Sequence, residues 1–157
     1  MNAAVAVSTG ADIQGVVSIR LGEQTFGVPV MKAQDIIAQV AINAIPLAPV
    51  EVAGSLNLRG RIVTAIDMRR RLNMPARHEG ESFMCVIVER SGELYALLVD
   101  DVGDVLWLAD DTFEPTPVTL SACWRALCSG LYRLPGELLL VLDVDKVLSL
   151  NAAVPAA

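Results

Sequence analysis

The sequence predicts a mainly β protein made of two similar small subdomains packed together. Three observations carry that expectation. The apolar content is high at 54% while aromatics are only 4%, so it lies in Val, Leu, Ile and Ala. These residues fall in short runs punctuated by Gly and Pro, the pattern of strands and turns. A thirteen-residue segment also recurs, once in each half of the chain.

From the start, "GVVSIRL" (15–21) and "TFGVPV" (25–30) flank a Gly-containing turn and predict a hairpin. "MKAQDIIAQV" (31–40) fits two helical turns, with Met31, Ile36, Ile37 and Val40 toward one side. Pro46 and Pro49 then forbid regular helix and imply an extended approach into Gly54. "RIVTAID" (61–67) is a strand, and "MRRRLNM" (68–74) a short helix with solvated arginines, stopped by Pro75. "FMCVIVER" and "ELYALLVDDVGDVLWL" flank Ser91 and Gly92 as a second hairpin. "DDTFEPTPV" reads as a loop and "LSACWRALCSG" as irregular. "ELLLVLDVDKVLSL" closes as strand then short helix.

The repeat pairs "GRIVTAIDMRRRL" (60–72) with "GELLLVLDVDKVL" (136–148) without a gap. In each copy a glycine opens an almost continuously apolar run, which implies burial on both faces. Each run ends in an aspartate, Asp67 or Asp143, placed to cap a short helix. At this length a chain buries roughly 68–70% of its unfolded surface, enough for a core without disulfides.

Net charge is −6, which argues against nucleic acid as the main partner. Six of the twelve basic residues lie between Arg59 and Arg77, and ten of the eighteen acids between Glu79 and Glu114. Such segregation fits either two solvated faces or a polar surface that two differently charged partners can read. No apolar stretch is long enough for a membrane-spanning helix, and no basic-then-apolar leader opens the chain. Cys85, Cys123 and Cys128 lie in apolar segments and read as buried, reduced thiols. His78 is the only histidine, so neither a zinc site nor a Ser-His-Asp arrangement is expected. Asp100, Asp101, Asp104, Asp110 and Asp111 lack the spacing of a calcium loop, and no phosphate-binding glycine loop occurs. The balance favours a protein that binds, with no metal and no cofactor. Trp107 and Trp124 read as packing residues, with surface anchors as the alternative.

Over Val16 to about Leu150 the chain resembles the CheW family of chemotaxis coupling proteins. The resemblance rests on "FGVPVMKAQDII", "IPLAPVEVAGSLNLRGRIVTAIDMRRRL", "LLVDDVGDVLWL" and "CSGLYRLPGELLLVLDVDKVL". It implies one domain over 14–150, with tails at 1–13 and 151–157. The domain would be two packed five-stranded SH3-like β-barrels with short helices. It further implies a non-catalytic cytoplasmic adaptor that couples the tip of chemoreceptors to the regulatory domain of the histidine kinase CheA. Alternatives are a related adaptor in a pathway controlling pili, biofilm or second messengers, and, remotely, a ligand-binding barrel or enzyme.

In that family a receptor helix lies in a groove between the barrels. The positions matching the groove are Val30, Ala33, Asp35, Ile36, Gly54, Arg59, Gly60, Val105 and Gly130. Val30, Ala33, Ile36 and Val105 would form an apolar floor, and Gly54 and Gly130 would let a foreign helix backbone approach. Arg59 would pair with Asp35, bidentate and partly dry, to shape the groove wall. Kinase docking is expected at the barrel ends. Ala33 is smaller than the residue the family tends to carry, Asp101 replaces a common glycine, and 112–128 keeps little of the pattern.

Overall fold

The computed structural model describes residues 12–150. The tails expected over 1–13 and 151–157 lie outside the described residues, except Asp12 and Ile13. Ile13 already belongs to a strand, and the Asp12 carbonyl accepts from the Asp110 amide at 2.7 Å.

The first half of the chain holds β1 (Ile13–Leu21), β2 (Gln24–Pro29), β3 (Ala33–Ala38), β4 (Val52–Leu58), β5 (Arg61–Asp67) and α1 (Met68–Arg71). The second holds β6 (Met84–Arg90), β7 (Glu93–Val99), β8 (Asp101–Ala109), α2 (Ala122–Leu127), β9 (Cys128–Leu134), β10 (Glu137–Leu142) and α3 (Val144–Leu148). Both halves run hairpin, three strands, helix, which extends the thirteen-residue repeat to almost the whole chain.

The halves do not fold separately. One sheet has the order β8-β1-β2-β10-β9 and the other β3-β6-β7-β5-β4. Each sheet therefore joins the hairpin of one half to the three strands of the other. The exchange is sealed by two parallel pairings, β2 with β10 and β5 with β7.

Each sheet also closes on itself through one short bridge. Beyond β3, Asn43 pairs with Ser55 of β4, with both amide bonds at 2.8 Å. Beyond β8, Glu114 pairs with Leu131 of β9, at 2.9 and 2.8 Å. Closure satisfies backbone groups that an open edge would leave bare.

Three apolar cores follow from this arrangement. Leu56, Val63, Ala65, Cys85, Ile87, Ala96 and Leu98 fill the β3–β7 barrel. Val16, Leu108, Tyr132, Leu139 and Val141 fill the other. The largest core lies between the barrels, where Val17, Phe26 and Val28 meet Ile66, Val86, Leu97 and Leu140. Successive residues of one strand, such as Cys85 and Val86, thus enter different cores. That is why the runs are apolar on both faces.

Several expectations need correction. Residues 33–38 form β3 rather than helix. Their exposure alternates along the strand and they pair with β6, so sheet pairing overrides a helix-compatible composition. The run 93–109 is two strands in different sheets, broken at Asp100. Residues 122–127 form α2, capped by Ser121, which accepts from the Trp124 amide.

Asp67 and Asp143 do cap α1 and α3, but the arginines of α1 are not a solvated face. Arg71 is 4% exposed, and Arg69 is bound to a carboxylate. Trp124 donates to the Leu72 carbonyl at 2.8 Å and packs edge-on against Phe26, tying α1 to the other barrel.

Asp100 sits where the chain crosses between sheets and accepts from Arg69 Nε at 2.9 Å and the Gly22 amide at 2.8 Å. Burial pushes the Asp100 carboxyl up, but the Arg69 guanidinium, the Gly22 amide and the nearby Arg77 outweigh it. The net shift is below the ordinary carboxylate value. A depressed folded-state pKa gives stability that is present above the unfolded-state value of roughly 4 and is lost as pH falls below it. Asp100→Asn is therefore expected to cost about 2 kcal/mol at pH 7. The gap from wild type should shrink in urea melts below about pH 4. A gap of constant size across that range would contradict the role assigned to the carboxylate.

Candidate partner-docking groove

The nine residues singled out by sequence fall into three groups in space. The first lies along the core between the barrels. Val30 and Ala33, in the crossover from β2 to β3, pack partly buried against that core. Val105 on β8 pairs with buried Val17, and Ile36 on β3 pairs with buried Val86. Cross-strand partners share a face, so each carries the central core out to the surface at an edge strand. Val105 is 44% and Ile36 38% exposed. These four are apolar and lie where the central core reaches the surface.

The second group, Asp35, Arg59 and Gly60, sits at one end of the β3–β7 barrel. Arg59 and Gly60 form the β4–β5 turn, both with positive φ, as a two-residue hairpin of this kind requires. The Gly60 amide donates to the Asn57 side chain at 3.0 Å. Arg59 does pair with Asp35, Nη2 to Oδ2 at 3.0 Å. The contact is neither bidentate nor dry, because the arginine side chain is 77% exposed. Asp35 pairs with Ile87, which faces the barrel interior, whereas Ile36 next to it faces the central core. The pair therefore closes a barrel mouth and does not form the groove wall.

The third group, Gly54 and Gly130, serves the barrels themselves. A Cβ on Gly54 would strike the Asn43 carbonyl, and one on Gly130 the Phe113 ring and the Glu114 carbonyl. Each glycine lies one residue before a closing bridge. The close approach is made by the chain's own backbone and not by a foreign helix.

The barrel mouths are equivalent in position but not in charge. A cleft of about 210 Å³ at the β3–β7 barrel is lined by Asp35, Arg59, Arg61 and Glu89. Its counterpart of about 340 Å³ is lined by Arg20, Asp101, Asp104 and Glu137. Glu137 occupies the repeat position of Arg61, which turns one mouth acidic.

The thiols are buried and unpaired. Burial pushes Cys85 up to about 11 and Cys128 up to about 12, so neither is a thiolate near neutral pH. Among the described residues no group of three His, Cys, Asp or Glu side chains is placed to hold a metal ion, and no helix is long and apolar enough to cross a membrane.

The family profile described as the CheW-like domain matches residues 15–152. The chain belongs to the CheW-like domain family. Chemotaxis protein CheW of Rhizobium meliloti is 29% identical over 93% of each chain. CheW of Klebsiella aerogenes is 28% identical over 82% of this chain and 78% of the other. The crystal structure of scaffolding protein TtCheW from Thermoanaerobacter tengcongensis superposes with a TM-score of 0.80. It covers 90% of this chain and 97% of that one at 24% identity, which supports the fold.

Within this CheW-like domain two further large apolar side chains reach the surface. Trp107 is 48% exposed, which favours the surface alternative over packing for this residue, and Met31 is 87% exposed. The alternation of "DVLWL" marks Val105 and Trp107 as one face, but nothing in it says which face is covered.

Proposed function

We propose that this protein is a non-catalytic cytoplasmic adaptor of a chemotaxis system, coupling chemoreceptors to the histidine kinase CheA. The observation that carries the reading is the CheW-like fold over the described chain, with the apolar core between its barrels continued to the surface by Val105 and Ile36. An amphipathic receptor helix laid against these edges would bury apolar stripes on both partners. The kinase regulatory domain would dock at the barrel mouths, whose differing charge distinguishes one end from the other.

Reconstitution with purified CheA and a receptor cytoplasmic fragment tests the reading. Adding this protein should raise kinase activity and bring both partners into one sedimenting complex. No change in either measurement would overturn it. In the same assay Arg59→Ala should weaken coupling. The exposed Arg59–Asp35 pair is worth at most about 1 kcal/mol, so its thermal midpoint should stay within about 4 °C of wild type. Full coupling by the variant would remove Arg59 from the docking surface.

A further inference from the structure

The β8-β1-β2-β10-β9 barrel has a second opening, at the end opposite its acidic mouth. This pocket of about 120 Å³ has walls of Pro29, Phe113 and Val141, and its polar groups include Gln14, Asp110 and Tyr132. Tyr132 is only 2% exposed, and its ring packs on Phe113 with centroids 5.1 Å apart. Its hydroxyl has no hydrogen-bond partner among the described residues, although a buried Tyr hydroxyl usually finds one. The barrel itself does not require that hydroxyl. In the β3–β7 barrel the same place, one residue past the closing bridge, is taken by buried Leu56.

The barrels differ again four residues before the bridge. There Gln39 accepts from the Phe83 amide at 3.1 Å, so that end of the β3–β7 barrel is served by its own chain. Its counterpart, Asp110, presents an exposed carboxylate that enters no ion pair among the described residues. Nearby bases are engaged elsewhere. Arg133 holds Glu114 at 2.8 Å, and Lys32, whose amide donates to the Pro29 carbonyl, lies 3.9 Å from Asp145. Burial, and then the Asp110 charge, push the Tyr132 hydroxyl above its ordinary value, so it stays protonated at neutral pH.

An ammonium matches these groups. It brings three donors, and the pocket is lined by three acceptors: the Asp110 carboxylate, the Tyr132 oxygen and the Gln14 side-chain carbonyl. Its bond to a carboxylate is charge-assisted and stronger than a neutral one. A methylene stem suits the apolar walls, as the stem of a lysine lies along apolar surface. At roughly 30 Å³ per water-sized group there is room for about four such groups. We propose that this pocket binds an alkylammonium group, presented by a lysine side chain of a partner or by a free primary amine.

The test is a titration of the full-length protein with n-propylammonium chloride, followed by amide NMR. Resonances of Gln14, Ser129 and Tyr132 should shift and saturate, while sodium chloride at matched ionic strength leaves them in place. n-Propanol, which lacks the charge, and tetramethylammonium, which lacks the donors, should each bind at least tenfold more weakly. Asp110→Asn should weaken binding at least tenfold, and Tyr132→Phe severalfold. Because the hydroxyl has no partner among the described residues, Tyr132→Phe should keep the wild-type thermal midpoint, which separates a ligand contact from a structural one. Shifts that never saturate, or that sodium chloride reproduces, would overturn the pocket. Equal binding of n-propanol would overturn the cation, and wild-type affinity in Tyr132→Phe would overturn the hydroxyl as its acceptor. The two sources separate in the reconstituted complex with CheA and a receptor fragment. Dispersal of that complex by n-propylammonium assigns the group to a partner lysine, whereas saturable binding that leaves it intact assigns a free amine.

Discussion

Gly54→Ala is expected to lower stability by about 4 kcal/mol and the thermal midpoint by roughly 10 °C. The added methyl would strike the Asn43 carbonyl, which is backbone and fixed by its own bonds to Ser55. Relief requires moving the strand extension that closes the β3–β7 barrel. The φ of +151° adds conformational strain for any residue with a Cβ. Gly60→Ala is the control. Its φ is +85°, but nothing lies within 4 Å of the new methyl, so only the backbone cost of about 1 kcal/mol remains. Gly130→Ala should fall between the two, because the Phe113 ring can turn aside while the Glu114 carbonyl cannot. Urea melts of the three variants decide the matter. Equal losses at Gly54 and Gly60 would contradict the closure account.

These glycines show where the sequence is legible and where it is not. The thirteen-residue repeat, the capping aspartates and the two hairpins are local patterns, and all stand in the structure. The exchange of hairpins between halves is not local: either hairpin could pair with either set of three strands, and the repeat looks the same in both cases. Gly54 and Gly130 were legible as sites of close backbone approach. Which backbone approaches depends on the bridges from Asn43 and Glu114, residues with no strand signal of their own. β3 was mistaken for helix because six residues with no Gly, Pro or strict alternation fit both periods. The apolar character of Val30, Ala33, Ile36 and Val105 is readable, whereas the seat of the Trp107 ring depends on Gly15 from another strand.

Arg71→Ala is expected to cost about 3–5 kcal/mol, because three carbonyls lose their donor at roughly 1–3 kcal/mol each. Arg71 Nε donates to the Val147 carbonyl at 2.8 Å, and Nη2 to the Lys146 and Ser149 carbonyls at 3.0 and 3.2 Å. All three acceptors lie at the end of α3, where a helix leaves carbonyls without partners of its own. Arg71 closes α1, which ends the first copy of the repeat, and α3 ends the second. The side chain thus joins the equivalent ends of the two halves. Arg71→Lys keeps the charge but loses the planar fork, so it should recover only part of the loss. Arg70→Ala, on the exposed neighbour, should stay within about 0.5 kcal/mol of wild type. Because the acceptors are carbonyls, the loss at Arg71 should not change between pH 4 and 9 and should resist added salt, unlike the loss at Asp100. A loss that salt abolishes, or one no larger than that of Arg70→Ala, would mean that the carbonyl clamp does not hold the halves together.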